Sequence, residues 1–596
     1  MTFPYLTVSI FLPLAAMAIV LCLPSSWKHA IRWVSMAAAL ATFAIVSLMA
    51  WEYGKDNPGA TQAKAKLATA QDYFAAKAEG TKLEALRKVG GDDKSPAYAK
   101  FVALLARPGN PTTQERAALA ASGLDGLFDR GREDALAAAC PFAPSIKFVE
   151  RCTWIEAFNI HYFVGVDGLS LPLIWLSALL TVLCLAYSWT VEKATKGYFA
   201  LFLLLETALV GVFAALDFFL FYVFWEIVLL PMYFLIGFWG GPRRIYAAIK
   251  FFIYTLVGSV LMLIAMIALY LKLDPHSFNV LTLISAIPEM RIDGTYGILG
   301  WALSFKQWIF LGLFVAFAIK VPVFPFHTWL PDAHVEAPTA GSVVLAGVLL
   351  KMGGYGFFRF SYPLTPVEAT SETFVYFIGL LGVINIVYGA LCAMAQKDFK
   401  SLVAYSSISH MGYVLLGLAA ASVAGITGAI LQMFTHGLSS AMMFLLVGVI
   451  YDRAHHRNLD DFGGIGLKMP YYTGLATVGF FAALGLPGLC GFVSEALVFL
   501  GAWHTQGLYM TYGLRWMVLV SLAGVVFGAA YILWTIQRVF MGALPSKYES
   551  FADLDAREWF CLAPLGLLCV IVGVFPGIVI DYMDPTIQAL FKVLRP

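Results

Sequence analysis

The chain has 596 residues, of which 60% are apolar and only 13% charged, and its mean hydropathy is +0.78. A soluble protein of this size would leave too much apolar surface in water, so composition points to a membrane protein with many spans. A net charge of +2 gives no basic field for nucleic acid, and the eight cysteines contain no CxxC or CxxCH run for an iron–sulfur cluster or a c-type haem. No GxGxxG or GxxxxGK[ST] occurs, so nucleotide binding has no motif behind it. Transport, channel work, lipid chemistry or a membrane cofactor remain.

In chain order, apolar runs at 4–23 and 31–50 predict helices 1 and 2, within residues 1–51. Residues 1–23 lack a basic n-region and a good small-residue cleavage site, so they read as a span rather than a signal peptide. Residues 52–151 then hold 28 of the 76 charges, and the stretch is Ala-rich, with glycines at 90 and 91 and Arg107-Pro-Gly-Asn-Pro111. Phe74, Leu83, Leu86, Phe101, Leu104 and Leu105 fall at helical spacing, which favours a helical soluble insert at 52–152 over a disordered spacer. Span-length runs resume at 169–189, within a segment 153–197, and continue at 198–216, 218–240, 245–271, 306–335 and 341–360. A second series covers 373–395, 400–419, 424–450, 471–503 and 515–541, and 559–582 precedes the C-terminus at 596. The expected fold is an all-α polytopic membrane protein of about 14 helices, each needing about 20 residues to cross ~30 Å of hydrocarbon.

Two runs are too long for one simple span and carry proline inside: 306–335, with Lys320, Pro322 and Pro325, and 471–503, with Gly485, Pro487 and Gly488. Proline disfavours helix before it and leaves a carbonyl without its N–H partner, so both spans are predicted to break. One break falls in each five-helix unit, 198–360 and 373–541. An odd helix count per unit makes any repeat inverted, as in transporters with paired discontinuous helices. Lysine and arginine set the orientation. With the N-terminus outside, inner ends hold fifteen, among them Lys28, Arg32, Arg243, Lys397, Lys400 and Arg457, and outer short loops hold seven: Lys272, Arg291, Lys306, Arg359, Arg515, Lys592 and Arg595. The insert is therefore expected on the outer, oxidising side. Cys140 and Cys152, the two cysteines outside the spans, are expected to pair there as a disulfide.

A charge at the bilayer centre costs several kcal/mol, which makes an intramembrane ionisable residue a functional candidate. The candidates are Glu206, Glu226, Lys320, Lys351 and Glu495, with His327, His410 and His436; Lys250 lies near an inner end. A carboxylate near a shielded lysine favours its ammonium form, and removing the carboxylate favours proton release. A Glu–Lys pair can thus drive a pump without redox chemistry.

The segments FFLFYVFWEIVLLPMYFLIGFWGG (218–241), AIKVPVFPFHTWLPDAHVEAPTAGSVVLAGVLLKMGGYGFFRF (318–360), QKDFKSLVAYSSISHMGYVLLGL (396–418), QMFTHGLSSAMMFLLVG (432–448) and LGLPGLCGFVSEALV (484–498) carry a resemblance. They resemble the subunit M family of the proton-pumping NADH:quinone oxidoreductase, respiratory complex I, one of its antiporter-like membrane subunits. The match covers nearly the whole chain except about 52–150. The resemblance implies roles: Glu226 as the acid of the fifth helix, Lys320 as the pumping lysine of the first broken helix, and Lys351 as the link between half-channels. It makes His410 and His436 polar relay positions and Glu495 the acid of the second broken helix, where the sister subunits L and N usually carry lysine. TWIEAFNIHYFVGVDGLSL (153–171) looks like the remainder of the family's hairpin; the insert departs from the pattern. The resemblance further implies a bacterial inner-membrane location, with the sister subunits L and N, lipids and protons as partners. Flavin (FMN), iron–sulfur clusters and quinone would belong to other subunits, leaving this chain without a redox centre, cofactor or metal.

Three other readings compete. An Mrp-type cation/proton antiporter subunit shares the ancestry, but the wording of 218–241 and Glu495 favour complex I. A haem carrier with His410 and His436 as axial ligands fits poorly with their SerHisMet and ThrHisGly contexts, which read as polar relay. A lipid or quinone enzyme lacks a nucleophile–base constellation.

Overall fold

The computed structural model describes residues 3–55, 68–88, 93, 95–105, 107, 110–290, 295–298, 301–505 and 514–595. Gly90, Gly91 and Arg291, read above as loop positions, lie outside the described residues. The chain opens with α1 (Tyr5–Cys22) and α2 (Lys28–Lys55), packed on each other. The insert follows as four helices, α3 (Ala70–Lys88), α4 (Pro96–Leu105), α5 (Thr113–Ala121) and α6 (Asp125–Ala139). Phe101, Leu104 and Leu105 meet Leu119, Leu127 and Phe128 in a small core of their own. Leu83 departs from the expected pattern: it is exposed, and Ala78 and Ala85 take the buried face of α3. Thr112 and Glu115 form a reciprocal cap at the start of α5. Arg107 beside Glu115 holds that carboxyl down at about 2.

The insert is fastened to one end of the membrane bundle. Arg116 pairs with Asp274, Asn110 donates to the Lys272 carbonyl (2.9 Å), and Glu133 accepts from Arg151 (2.5 Å), Asn159 (2.7 Å) and Asn279 (3.2 Å). An antiparallel hairpin, β1 (Lys147–Ile155) and β2 (Ile160–Val166), comes next. Its first strand starts at Lys147, so the boundary expected after residue 152 is corrected. Lys147, Glu150 and Arg151 look like solvated insert surface, yet each has a partner. Lys147 lies over the Tyr53 ring, and Glu150 accepts the Leu6 and Thr7 N–H groups of the first turn of α1, where an anion is stabilising.

The expected Cys140–Cys152 disulfide is also corrected. Both thiols are free; Cys140 is buried beside Phe142 and Cys152 is exposed on β1. Burial pushes the Cys140 thiol up to about 11, which disfavours the thiolate that exchange requires.

The remaining spans are α7 (Ser170–Tyr187), α8 (Thr195–Ala214), α9 (Phe218–Trp239) and α10 (Arg244–Lys272). On the insert side a short α11 (Val280–Ala286) lies under α6, and a strand pair β3 (Thr295–Ile298) and β4 (Trp301–Ser304) leads onward. The first broken span consists of α12 (Phe305–Lys320) and α13 (Trp329–Glu336). Then come α14 (Thr339–Leu364), α15 (Glu372–Met394), α16 (Phe399–Ala420) and α17 (Val423–Ala454). The second broken span is α18 (Pro470–Leu484) with α19 (Cys490–His504), followed by α20 (Arg515–Phe540) and α21 (Ala556–Val574). Among the described residues, twelve helices are long and apolar enough to cross a membrane, the two broken spans not counted.

The last span ends at Val574 rather than at 582. Phe575 and Pro576 interrupt it, and α22 (Gly577–Leu594) follows. Val579, Met583, Ile587 and Leu590 make one buried stripe on α22, while Asp581 and Asp584 are exposed, so α22 is amphipathic and packs across neighbouring elements. The membrane-depth stretches of α14 and α17 are buried throughout, whereas α10 shows Ile249, Ile253, Val260, Ile264 and Ile267 outward, a lipid-facing stripe.

Arg359, counted above among loop charges, is buried in α14. It pairs with Asp167 at 2.6 Å and donates to the Tyr355 hydroxyl (3.2 Å), while Asp167 also accepts the Leu169 and Ser170 N–H groups. Removing one partner of a buried pair strands the other. Asp167→Ala is expected to lower stability by about 3–5 kcal/mol, read as thermal unfolding of the purified protein. Arg359→Met combined with Asp167→Asn, which keeps an oxygen for the Leu169 and Ser170 N–H groups, should recover most of the loss; a double variant as unstable as the single one would assign the effect to packing instead.

Candidate functional site

At the first break α12 stops at Lys320, and the chain reverses through Pro322 and Pro325 before α13. The carbonyl that Pro322 would leave free, that of Ala318, accepts the Val323 N–H (2.8 Å), and Asn385 of α15 donates to the Pro322 carbonyl (3.2 Å) and accepts the Phe324 N–H (2.8 Å). Trp329 closes the Ile319 carbonyl (2.9 Å). The break is therefore sealed by protein groups, the other way in which irregular backbone survives at this depth. Lys320 is buried with no hydrogen-bond partner on Nζ among the described residues, and Nζ sits 5.2 Å and 5.6 Å from the centroids of the Trp225 and Phe251 rings. Glu226 lies within electrostatic reach on α9, and its Oε1 is also unpartnered. The two groups lie within electrostatic reach of one another and make no ion-pair contact among the described residues, and the Tyr222 hydroxyl hydrogen-bonds the Glu226 carboxylate.

The second break is built differently. Gly485 (φ +76°) and Gly488 (φ +91°) adopt left-handed backbone around Pro487. Glu495 folds back over that turn, so that a Cβ on Gly485 would lie 2.7 Å from its Oε2. Only glycine admits both the conformation and this approach. Glu495 Oε1 meets His410 Nδ1 at 3.3 Å. The His410 and His436 rings lie 5.3 Å apart, centroid to centroid. His436 Nδ1 lies 2.9 Å from Lys351 Nζ, which also donates to the Ala346 carbonyl (2.5 Å). That carbonyl belongs to a π-helical turn of α14 over Leu345–Leu349, a local widening common at functional positions. Lys351, His436, His410 and Glu495 thus form one buried ladder across α14, α17, α16 and α19. Gln432 and Ser494 flank it: Ser494 donates to Gln432 Oε1 (2.5 Å), and Gln432 Nε2 approaches His410 Nδ1 at 3.5 Å.

Other candidates stand outside the ladder. Glu206 is buried on α8 with both carboxyl oxygens unpartnered. His327 lies in the first break, flat against Phe324 (5.7 Å) and edge-on to Tyr388 (5.2 Å). Lys250 pairs with Asp332 at 2.7 Å, tying α10 to α13. Among the described residues, no group of three or more His, Cys, Asp or Glu is arranged to hold a metal ion. The sequence reading missed Asn385, Gln432, Ser494 and His334, which is fully buried on α13 with both ring nitrogens unpartnered. Their signal is weak, because polar residues inside a span acquire meaning only from what the neighbouring helix places opposite.

The comparisons place this arrangement in a family. Residues 215–526 match the model described as NADH:quinone oxidoreductase/Mrp antiporter, TM, and residues 136–213 match NADH-ubiquinone oxidoreductase chain 4, amino terminus. The NADH-quinone oxidoreductase subunit M of Rhodobacter capsulatus is 45% identical over 462 residues, 77% of this chain and 87% of that protein. A chain of respiratory complex I from Thermus thermophilus is 30% identical, with a TM-score of 0.68, over 87% of this chain and all of that one. A chain of the Mrp complex from Dietzia shares the fold at 23% identity and a TM-score of 0.62, over 88% of this chain and 52% of that one. Residues 1–135, which hold most of the insert, lie outside both family matches. Identity of this extent, together with a model match over more than half of the chain, makes the protein a member of the NADH-quinone oxidoreductase subunit M family.

Proposed function

We propose that the chain is a proton-translocating membrane subunit of an NADH:quinone oxidoreductase, moving protons along its buried Glu, Lys and His groups. The observation that carries this is the ladder from Lys351 through His436 and His410 to Glu495, in polar contact at both ends and joined in the middle by two imidazole rings 5.3 Å apart. Such a row of titratable groups in a water-poor core can pass protons but offers no nucleophile or electron carrier. Flavin, clusters and quinone belong to other subunits, and the sister antiporter-like subunits L and N flank the chain in a bacterial inner membrane. In this reading the insert faces outside. The units 198–360 and 373–541 act as inverted halves, one for each break.

Glu495 would be the outer end of the ladder. Glu495→Gln keeps its shape and removes the charge, so we expect pumping to fall on the order of tenfold or more while the complex still assembles. Acidification of inverted vesicles on NADH addition measures this, and wild-type pumping by the Gln variant would make Glu495 a packing residue only. The matched family model also names Mrp antiporters, and the Mrp chain shares the fold. Purification of the intact assembly separates the two readings, since only the first co-purifies with flavin and iron–sulfur proteins.

A further inference from the structure

α2 and α21 both pack against α7, and at the end away from the insert they stand apart over it. A cleft of about 430 Å³ lies between them, with Met36 and Ala186 buried on its floor and Trp33, Leu40 and Phe560 exposed along its walls. From Trp33 to Leu40 it follows α2 for about 10 Å, roughly two-thirds of one leaflet of a ~30 Å hydrocarbon layer. Deeper in, Phe43 meets Trp175 at 5.4 Å and Trp175 donates to the Ser47 hydroxyl (3.1 Å), so α2 and α7 close together there. At the mouth Trp33 meets Trp189 edge-on at 5.0 Å, an aromatic pair of the kind found at membrane interfaces. Arg557 lines the mouth from the first turn of α21. Its Nη1 donates to the Tyr187 carbonyl (3.1 Å) and the Thr190 hydroxyl (3.0 Å), which fixes the guanidinium across the end of α7. Its Nη2 has Asp555 Oδ2 at 3.6 Å, beyond hydrogen-bond length, and Asp555 is exposed. On the α2 side, Lys28 and Arg32 share Glu192, Arg32 at 2.6 Å.

We infer that this cleft binds one phospholipid of the leaflet away from the insert, a zwitterionic one whose headgroup ends in a primary ammonium. One acyl chain fills the apolar cleft, the phosphate lies on Arg557 and the ammonium on Asp555. Length favours an acyl chain over a helix of a neighbouring subunit, since a spanning helix needs about 20 residues and ~30 Å and the cleft ends within one leaflet. Charge decides the headgroup. Each cation at the mouth has an acid beside it, so a purely anionic headgroup would meet Asp555 and Glu192 along with the cations. A headgroup of both signs instead completes the Arg557–Asp555 pair through its phosphate and its ammonium. A guanidinium suits phosphate, and a carboxylate suits an ammonium that carries N–H donors better than a quaternary one. An exposed pair this loose contributes little to the fold, and seating a ligand between its two groups costs correspondingly little. The site shares no residue with the ladder or with either break.

The test places the intact assembly in phosphatidylcholine vesicles doped with a phosphatidylethanolamine that carries a photoreactive diazirine in one acyl chain. Mass spectrometry of the cross-linked peptides is expected to find the label on α2 around Met36 and Leu40 and on α21 around Phe560. Exchanging part of the phosphatidylcholine for unlabelled phosphatidylethanolamine should compete the label away, and the same share of phosphatidylglycerol should not. Arg557→Gln should lower labelling of the cleft about tenfold, the loss of one charge-assisted hydrogen bond, and Arg557→Lys should keep part of it. Ala186→Phe, which fills the floor, should remove the label from the cleft and leave it on other lipid-facing peptides, with assembly checked on native gels. The competition arm uses the unaltered chain and so does not depend on how any variant folds. Labelling that neither phosphatidylethanolamine competition nor Arg557→Gln changes would make the cleft ordinary lipid-facing surface and overturn the site. Equal or stronger competition by phosphatidylglycerol would overturn the zwitterionic headgroup. Absence of label from the cleft, with other lipid-facing peptides labelled, would overturn lipid as its occupant.

Discussion

Replacing Lys351 with methionine is expected to abolish proton pumping by this subunit and to lower NADH:quinone reductase turnover by on the order of tenfold or more in a complex that still assembles. Lys351 is the junction of the site. It is fully buried, it meets His436 at 2.9 Å, and among the described residues its other partner is the Ala346 carbonyl of its own helix. Among the described residues it makes no ion pair with a carboxylate, so losing the amine leaves no buried acid there uncompensated. Methionine fills nearly the same volume and is tolerated in cores. The variant thus separates proton carrying from packing. Lys351→Arg is expected to fail as well, because a guanidinium holds its proton throughout the physiological range. Vesicle acidification, turnover and native gels read the three quantities. Normal pumping in Lys351→Met would show that the ladder is not the path.

Much of the architecture is legible in the sequence because its causes are local. Hydropathy marks the continuous spans, and Pro322 and Pro487 mark the two breaks. The cost of a buried charge picks out Lys320, Lys351 and Glu495 with no structural help. What escapes depends on which helix faces which. The order His436 before His410 follows from the crossing of α16 and α17, so a relay read along the chain comes out reversed. His334 falls inside the 306–335 run, two residues beyond the Asp332 that pairs with Lys250, and nothing in the sequence shows that it stacks on Phe444 of α17. Asn385 looks like one polar residue in an apolar helix, yet it seals the break that proline opens. Arg359 lies near a span end and counts as a loop charge, but Asp167, 192 positions away, draws it inside. The cysteine pairing fails for the same reason: two thiols assigned to one side of the membrane need not share one environment.

Glu226→Gln is expected to leave assembly intact and remove most activity, as is Lys320→Ala. Lys320 Nζ and Glu226 Oε1 are both unpartnered, and the lysine rests between the Trp225 and Phe251 rings. A static bridge that ties α9 to α12 is therefore absent among the described residues, and the hydrogen bond that the carboxylate accepts from the Tyr222 hydroxyl, on its own helix, is one that Gln can also accept. Each group keeps the freedom to approach the other. At an effective dielectric near 20, closing to about 4 Å would favour the ammonium form by roughly 4 kcal/mol, close to a thousandfold in proton occupancy. Opening the pair withdraws that stabilisation, and the surrounding rings replace only part of it, at about 2 kcal/mol for a desolvated cation–π contact. Gln cannot supply the swing, so Lys320 would be held in one protonation state throughout the cycle. Glu226→Asp keeps the charge on a shorter arm and should give intermediate turnover. The two groups act as one switch, so the double variant Glu226→Gln with Lys320→Ala should be no worse than either single one; independent roles would make the losses multiply. Poor assembly of Glu226→Gln with normal turnover in what does assemble would return the pair to a structural tie between α9 and α12.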